Sequence, residues 1–187
     1  GFNILLTTYD KLYINDFSLP TGDLREPKSG AKRADVIVVT KCPNTLSSDE
    51  KNNIITLLKP HRKQQVFFST INYSDTIYSI EDSKPIEALK KEQFTLVTGI
   101  ANAAPLLNFL NGQGFVFEHL NFKDHHEFTA AEIEKFNSKS IILTTEKDFT
   151  RLRSGVNSSI LYYLPIEAEI LEKEKFNKLV SQFVTSY

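Results

Sequence analysis

The chain is short of the residues that announce several common kinds of site. A single cysteine, Cys42, stands among 187 residues, which excludes a disulfide framework and a thiolate-built zinc site and agrees with a reducing compartment. Glycine is scarce, at seven, and no glycine precedes a lysine. The Gly-Lys-Ser/Thr turn, whose amides and ammonium cradle nucleotide phosphates, is therefore missing. Neither sign of charge dominates: 22 Lys plus Arg oppose 23 Asp plus Glu, without the basic excess of a nucleic-acid-binding domain. Apolar runs such as Val36-Ile37-Val38-Val39 fall far short of the ~18–20 residues a membrane-spanning helix needs, and the opening residues do not read as a signal peptide. Methionine is absent altogether, so the sequence reads as a fragment of a longer protein.

What is present suits a folded chain. Apolar residues reach 41%, with 14 Phe and 7 Tyr, too hydrophobic for a disordered segment. Strands are expected over residues 3–9, 35–40, 65–71, 94–99, 115–122, 140–145 and 159–165; several are unbroken apolar runs, the pattern of strands covered on both faces. Helices fall between them. Ser47-Ser48-Asp49-Glu50 and Thr129-Ala130-Ala131-Glu132 have capping-box spacing, the second with Phe128 and Ile133 placed as a hydrophobic staple. Asn102 is placed to cap a helix ending at Gly112, and Phe176, Leu179, Val180 and Phe183 form one face of a last helix. Strands alternating with helices imply right-handed crossovers and a mainly parallel sheet, hence a three-layer α/β/α sandwich over a single domain, 1–187.

In such sheets the working residues gather beyond the carboxyl ends of the strands. Asp124-His125-His126 supplies a base, an orienter and a ligand, or equally a loop whose histidines bond to the backbone. A two-metal phosphoesterase would need an Asp-x-Asp pair on another strand, and the sequence has none. Arg25-Glu26 joins a fork of donors suited to phosphate oxygens with a carboxylate able to meet a sugar hydroxyl or a metal ion, or is an ordinary loop ion pair. Thr145-Glu146-Lys147-Asp148 sits at a strand-to-helix turn, where capping alone accounts for the hydroxyl and the carboxylates.

In order, Leu24-Arg25-Glu26-Pro27, Lys32-Arg33-Ala34-Asp35 leading into Val36–Val39, Gly99-Ile100-Ala101-Asn102, Phe122-Lys123-Asp124-His125-His126-Glu127-Phe128 and Thr145-Glu146-Lys147-Asp148 resemble the C-terminal half of the tetraacyldisaccharide 4'-kinases of lipid A biosynthesis. The resemblance covers about residues 3–165. It implies a P-loop-superfamily enzyme that moves the γ-phosphoryl of ATP, with Mg2+, to the 4'-hydroxyl of tetraacyldisaccharide 1-phosphate, peripherally at the cytoplasmic face of the bacterial inner membrane. Family members have two α/β/α domains joined by a two-stranded connector, so residues 1–17 and 159–166 would be connector strands and 167–187 a terminal helix. The Walker lysine, the magnesium carboxylates and a catalytic aspartate would belong to an N-terminal domain, the chain's principal partner. Residue by residue, the resemblance makes His125, beside Asp124, the catalytic histidine that assists that aspartate. Arg25, Glu26 and His126 become substrate or phosphate contacts, with Glu26 the candidate metal ligand, and the two loops are expected on one rim.

Many members have Gly-Ile-Gly-Asn-Pro where this chain has Gly99-Ile100-Ala101-Asn102-Ala103, a departure that touches only the turn. Without a phosphate cradle the chain alone is expected to be inactive. The alternative is a noncatalytic α/β module that binds an acylated sugar or a partner domain.

Overall fold

The computed structural model describes residues 1–186. In chain order its regular elements are β1 (Ile4–Thr8), β2 (Val36–Cys42), α1 (Ser48–Leu58), β3 (Gln65–Tyr73), β4 (Thr76–Tyr78), β5 (Ser83–Pro85), β6 (Phe94–Thr98), α2 (Ala104–Gly112), β7 (Phe117–Asn121), α3 (Ala130–Asn137), β8 (Ile142–Thr145), α4 (Glu146–Leu152), β9 (Leu161–Leu164), β10 (Ile166–Ile170) and α5 (Lys173–Thr185). All seven expected strands occur, alternating with helices.

They do not form one sheet. Contacts group into two compact units, residues 1–72 with 167–187 and residues 73–166, in place of the single domain expected. The first unit has a four-stranded sheet, order β1-β2-β3-β10, in which β1, β2 and β3 run parallel. Alternate residues of β2 serve opposite faces, as the two-residue period of a strand requires. Ile37 and Val39 meet Ile54 and Leu58 of α1, whereas Val36 and Val38 pack with Phe67 under Phe176 and Leu179 of α5.

The second unit has a six-stranded sheet, order β5-β4-β9-β8-β6-β7, parallel from β9 through β8 and β6 to β7 and closed at the other side by the antiparallel β4 and β5. Leu96, Leu143 and Tyr162 face α2 through Leu106 and Leu110. Their chain neighbours Val97, Ile142 and Leu161 face Phe136 of α3 and Phe149 and Leu152 of α4. Each unit is thus a helix–sheet–helix stack with its own apolar layers, each fully buried Leu, Ile or Phe contributing about 1.5–3 kcal/mol.

The division has a readable cause. After β3 the chain enters β4 and β5, a hairpin that joins β9 rather than returning to β3. At three residues each these strands are too short for alternation to register in the sequence. The stretches expected as interdomain connectors are sheet members: β1 pairs with β2, and β9 lies between β4 and β8 with Leu161 and Leu164 buried. Within 167–187, α5 is preceded by most of β10.

Both capping boxes are present, Ser47 with Glu50 and Thr129 with Glu132. The cap of α2 differs: the helix starts at Ala104, and the Asn102 side chain accepts from the Ala104 amide two residues on. Its stop is Gly114, at φ 78°, because only glycine enters the left-handed region without steric cost; Gly112 is still helical. Among the described residues no helix is long and apolar enough to cross a membrane.

Candidate functional site

The second unit presents its loops where β6, β7 and β8 end, and α4 organises them. Thr145 caps this helix, accepting from the Asp148 amide, so that Lys147, Asp148 and Arg151 project within one turn of each other. Asp148 is fully buried. Its Oδ2 accepts from the Gly99 amide and from the Thr145 hydroxyl, both at 2.8 Å, tying the turn after β6 to the start of α4. A Cβ at Gly99 would lie 3.1 Å from the other carboxylate oxygen, so glycine lets the backbone close on Asp148.

The loop after β7 is pinned from below by aromatic packing. Phe122 stacks on the His126 ring at 4.7 Å and meets Phe128 edge-on at 5.3 Å. His126 Nε2 lies 3.1 Å from Glu132 Oε2 in the capping box of α3. His126, assigned to substrate or phosphate by the resemblance, is thus half-buried and its Nε2 is engaged by Glu132. His125 is different. It stands at φ 61°, a left-handed conformation uncommon for a residue with a side chain, and its ring is 72% exposed. The turn that imposes this closes from the His126 amide to the Lys123 carbonyl, 3.1 Å, while the His125 amide donates to Asp124 Oδ1 at 3.0 Å.

Charges from α4 flank the exposed ring. Lys147 Nζ is 2.5 Å from Asp124 Oδ1. That contact, more than any other, holds the Asp124 carboxyl below the usual carboxylate range. Arg151 Nη2 lies 3.0 Å from His125 Nδ1, and His125 Nε2 lies 3.7 Å from Asp124 Oδ2. A cavity of about 510 Å³ opens beside His125, His126, Arg151 and Gly155. Sequence reasoning missed Arg151; its signal was the i, i+4 spacing from Lys147 along a helix that begins at a readable cap.

Arg25 and Glu26 belong to the first unit, so the structure brings Asp124 and His125 together and places the other pair in a different compact unit. There they line a groove of about 640 Å³ with Leu5, Tyr13 and Ala31. Glu26 is paired with Arg33. Arg25 is exposed and has no ion-pair partner among the described residues. Among the described residues no three His, Cys, Asp or Glu side chains gather where a metal ion could sit. Glu26 has no such group around it, and its carboxylate is held by Arg33.

The sequence model of the family described as Tetraacyldisaccharide-1-P 4'-kinase (LpxK) matches residues 1–185. The chain belongs to that family. A tetraacyldisaccharide 4'-kinase of Flavobacterium johnsoniae is 42% identical over 188 residues, 98% of this chain and 55% of the relative. That of Flavobacterium psychrophilum is 43% identical over 192 residues, with 100% and 55% covered, and that of Bacteroides thetaiotaomicron 35% identical over 209, with 98% and 55% covered. The chain spans about half the length of these LpxK relatives. A solved LpxK from Aquifex aeolicus, crystallised in complex with ATP, shares the fold at a TM-score of 0.66 and 22% identity, over 97% of this chain and 52% of that one.

Proposed function

We propose that the chain forms part of a tetraacyldisaccharide 4'-kinase, working at the inner-membrane surface on tetraacyldisaccharide 1-phosphate. Bound MgATP would supply the phosphoryl group. The observation that carries the reading is His125: a histidine held in a strained backbone conformation with its ring exposed, inside the block that matches the family. Strain of this kind costs about 1–3 kcal/mol and persists where surrounding structure over-determines it, as at active sites. Phosphoryl transfer asks a protein for positioning and charge stabilisation more than for covalent chemistry. Arg25 offers a planar fork of donors to anionic oxygens, and Glu26, held by Arg33, offers a carboxylate to a sugar hydroxyl. In the second unit His125 assists an aspartate contributed from outside this chain, with Asp124 and Lys147 setting the charge around it. His125 suits that role better than His126, whose ring is stacked on Phe122 and bonded to Glu132.

The test is steady-state kinetics of the full-length protein. His125→Ala should lower kcat about 10²–10⁴-fold, the range of general acid–base assistance, and move KM for the lipid acceptor less, because the interaction is realised in the transition state. The folded fraction is checked by thermal melting. Unchanged kcat with a lowered melting temperature would return His125 to a structural role. In the same assay the 187-residue chain alone should give no phosphorylated product, since it has no Gly-Lys dipeptide. The second reading is a noncatalytic module for an acylated sugar or a partner domain. It predicts that no Gly-Lys-Ser/Thr is encoded in frame upstream.

A further inference from the structure

We infer that Arg151 is a positioning residue that fixes the His125 ring as its Nε2–H tautomer, so that His125 meets its partner as a hydrogen-bond donor and not as a base. The inference rests on the proposed role of His125 and specifies its chemistry.

The argument starts from what each group can do. A guanidinium has five N–H donors and no acceptor, and stays protonated in proteins. Arg151 Nη2 is 3.0 Å from His125 Nδ1, so Nδ1 must be the acceptor and a neutral ring carries its one proton on Nε2. Nε2 is the nitrogen on the side of Asp124, 3.7 Å from Oδ2 and beyond hydrogen-bond reach. That N–H is left for an acceptor from outside: a carboxylate or a phosphate oxygen suits it, whereas a hydroxyl that must lose a proton finds no lone pair there. The histidine therefore orients a base rather than acting as one.

Arg151 is itself held for this task. Asp148 Oδ2 is occupied by the Gly99 amide and the Thr145 hydroxyl, which leaves Oδ1 facing Arg151 Nη1 at 3.8 Å. Those two atoms, Asp148 Oδ1 and Arg151 Nη1, are the buried side-chain polar atoms left without a hydrogen bond among the described residues. An orphaned buried polar group in a native fold calls for an explanation. Here each is the other's electrostatic partner, and the arrangement aims the far side of the guanidinium, Nη2, at His125. A closer Asp148–Arg151 bond would draw the guanidinium back from the ring.

The experiment uses the full-length protein with ring-15N histidine, the His125 signals being assigned by their loss in His125→Gln. The wild type should show Nδ1 unprotonated and Nε2 protonated. Arg151→Leu should move both shifts toward values averaged over the two tautomers, and Arg151→Lys, which restores a cationic donor, should move them back. Turnover should follow: kcat falls about tenfold in Arg151→Leu, less than for loss of His125 itself, with KM for the acceptor little changed and partial recovery in Arg151→Lys. A wild-type ring protonated on Nδ1 overturns the inference without any variant having to fold, and so do shifts that Arg151→Leu leaves unmoved. Shifts that respond as expected while Arg151→Leu and His125→Ala both leave kcat intact would uphold the clamp and overturn the catalytic reading of His125.

Discussion

Asp148 is the position at which the second unit should be most sensitive to a single atom. Replacing it with alanine removes two charge-assisted hydrogen bonds at 2.8 Å, each worth about 1.5–3 kcal/mol, and strips Arg151 of its buried counter-charge. Two terms work the other way: an ion no longer has to be buried, and the Arg151 side chain, 29% exposed, can recover some hydration. Thr145 is only half-buried, so its hydroxyl can find water, and the bond that cannot be replaced is the one from the Gly99 amide. The net cost expected is about 3 kcal/mol, the low end of what breaking a buried pair costs. Asp148→Asn keeps an amide oxygen for Gly99 and loses the charge, and should cost about 1–2 kcal/mol. For a chain of this length about 3 kcal/mol lowers Tm by roughly 6–12 °C. Circular-dichroism melting of the wild type and both variants measures the order, and hydrogen exchange at the Gly99 amide reports the lost bond directly. If Asp148→Ala melts with the wild type, or above Asp148→Asn, the account of Asp148 as the tie between β6 and α4 is wrong.

Two further outcomes concern the loop itself. His125→Gly should be more stable than His125→Ala by about 1 kcal/mol, because a Cβ in the left-handed region costs roughly that much; equal melting temperatures would show that φ 61° carries no strain. The Thr129 amide, and after it the His126 ring, hold the Glu132 carboxyl below its ordinary value of 4.5. A carboxyl depressed in the folded state adds stability that is present above pH ~4.5 and lost as pH falls through its folded value. Melting curves of Glu132→Gln should therefore fall less steeply than wild type on acidification below that pH, and parallel slopes would remove Glu132 from the acid response.

How far the site could be read in advance depended on the range of the interactions that make it. The capping boxes at Ser47 and Thr129 and the cap of α4 at Thr145 were legible because each joins residues three apart, and the pattern is complete within one turn. Strand ends were legible for the same reason, since apolar runs mark them, and they directed attention to the loops that carry Asp124 and Arg25. Which of two adjacent histidines is presented was not legible: His125 and His126 are alike in sequence, and the choice is made by Phe122, Phe128 and Glu132 closing around one ring. Arg151 reaches His125 across 26 residues, and Gly99 reaches Asp148 across 49.

The sequence by itself determined seven of the ten strands found among the described residues, the helices between them, and the caps at Ser47, Thr129 and Thr145, all set by two-residue and 3.6-residue periodicity and by contacts within a turn. Only the tertiary structure decided how those strands are shared between sheets. The Asn72 side chain bonds to Glu169 across 97 residues, placing β10 beside β3, while the Ser74 amide bonds to the Pro165 carbonyl where the chain enters and leaves the second unit. Sheet partnership is a contest among strands that can lie anywhere in the chain, settled by which pairing buries both faces at once, and local pattern carries no record of that result.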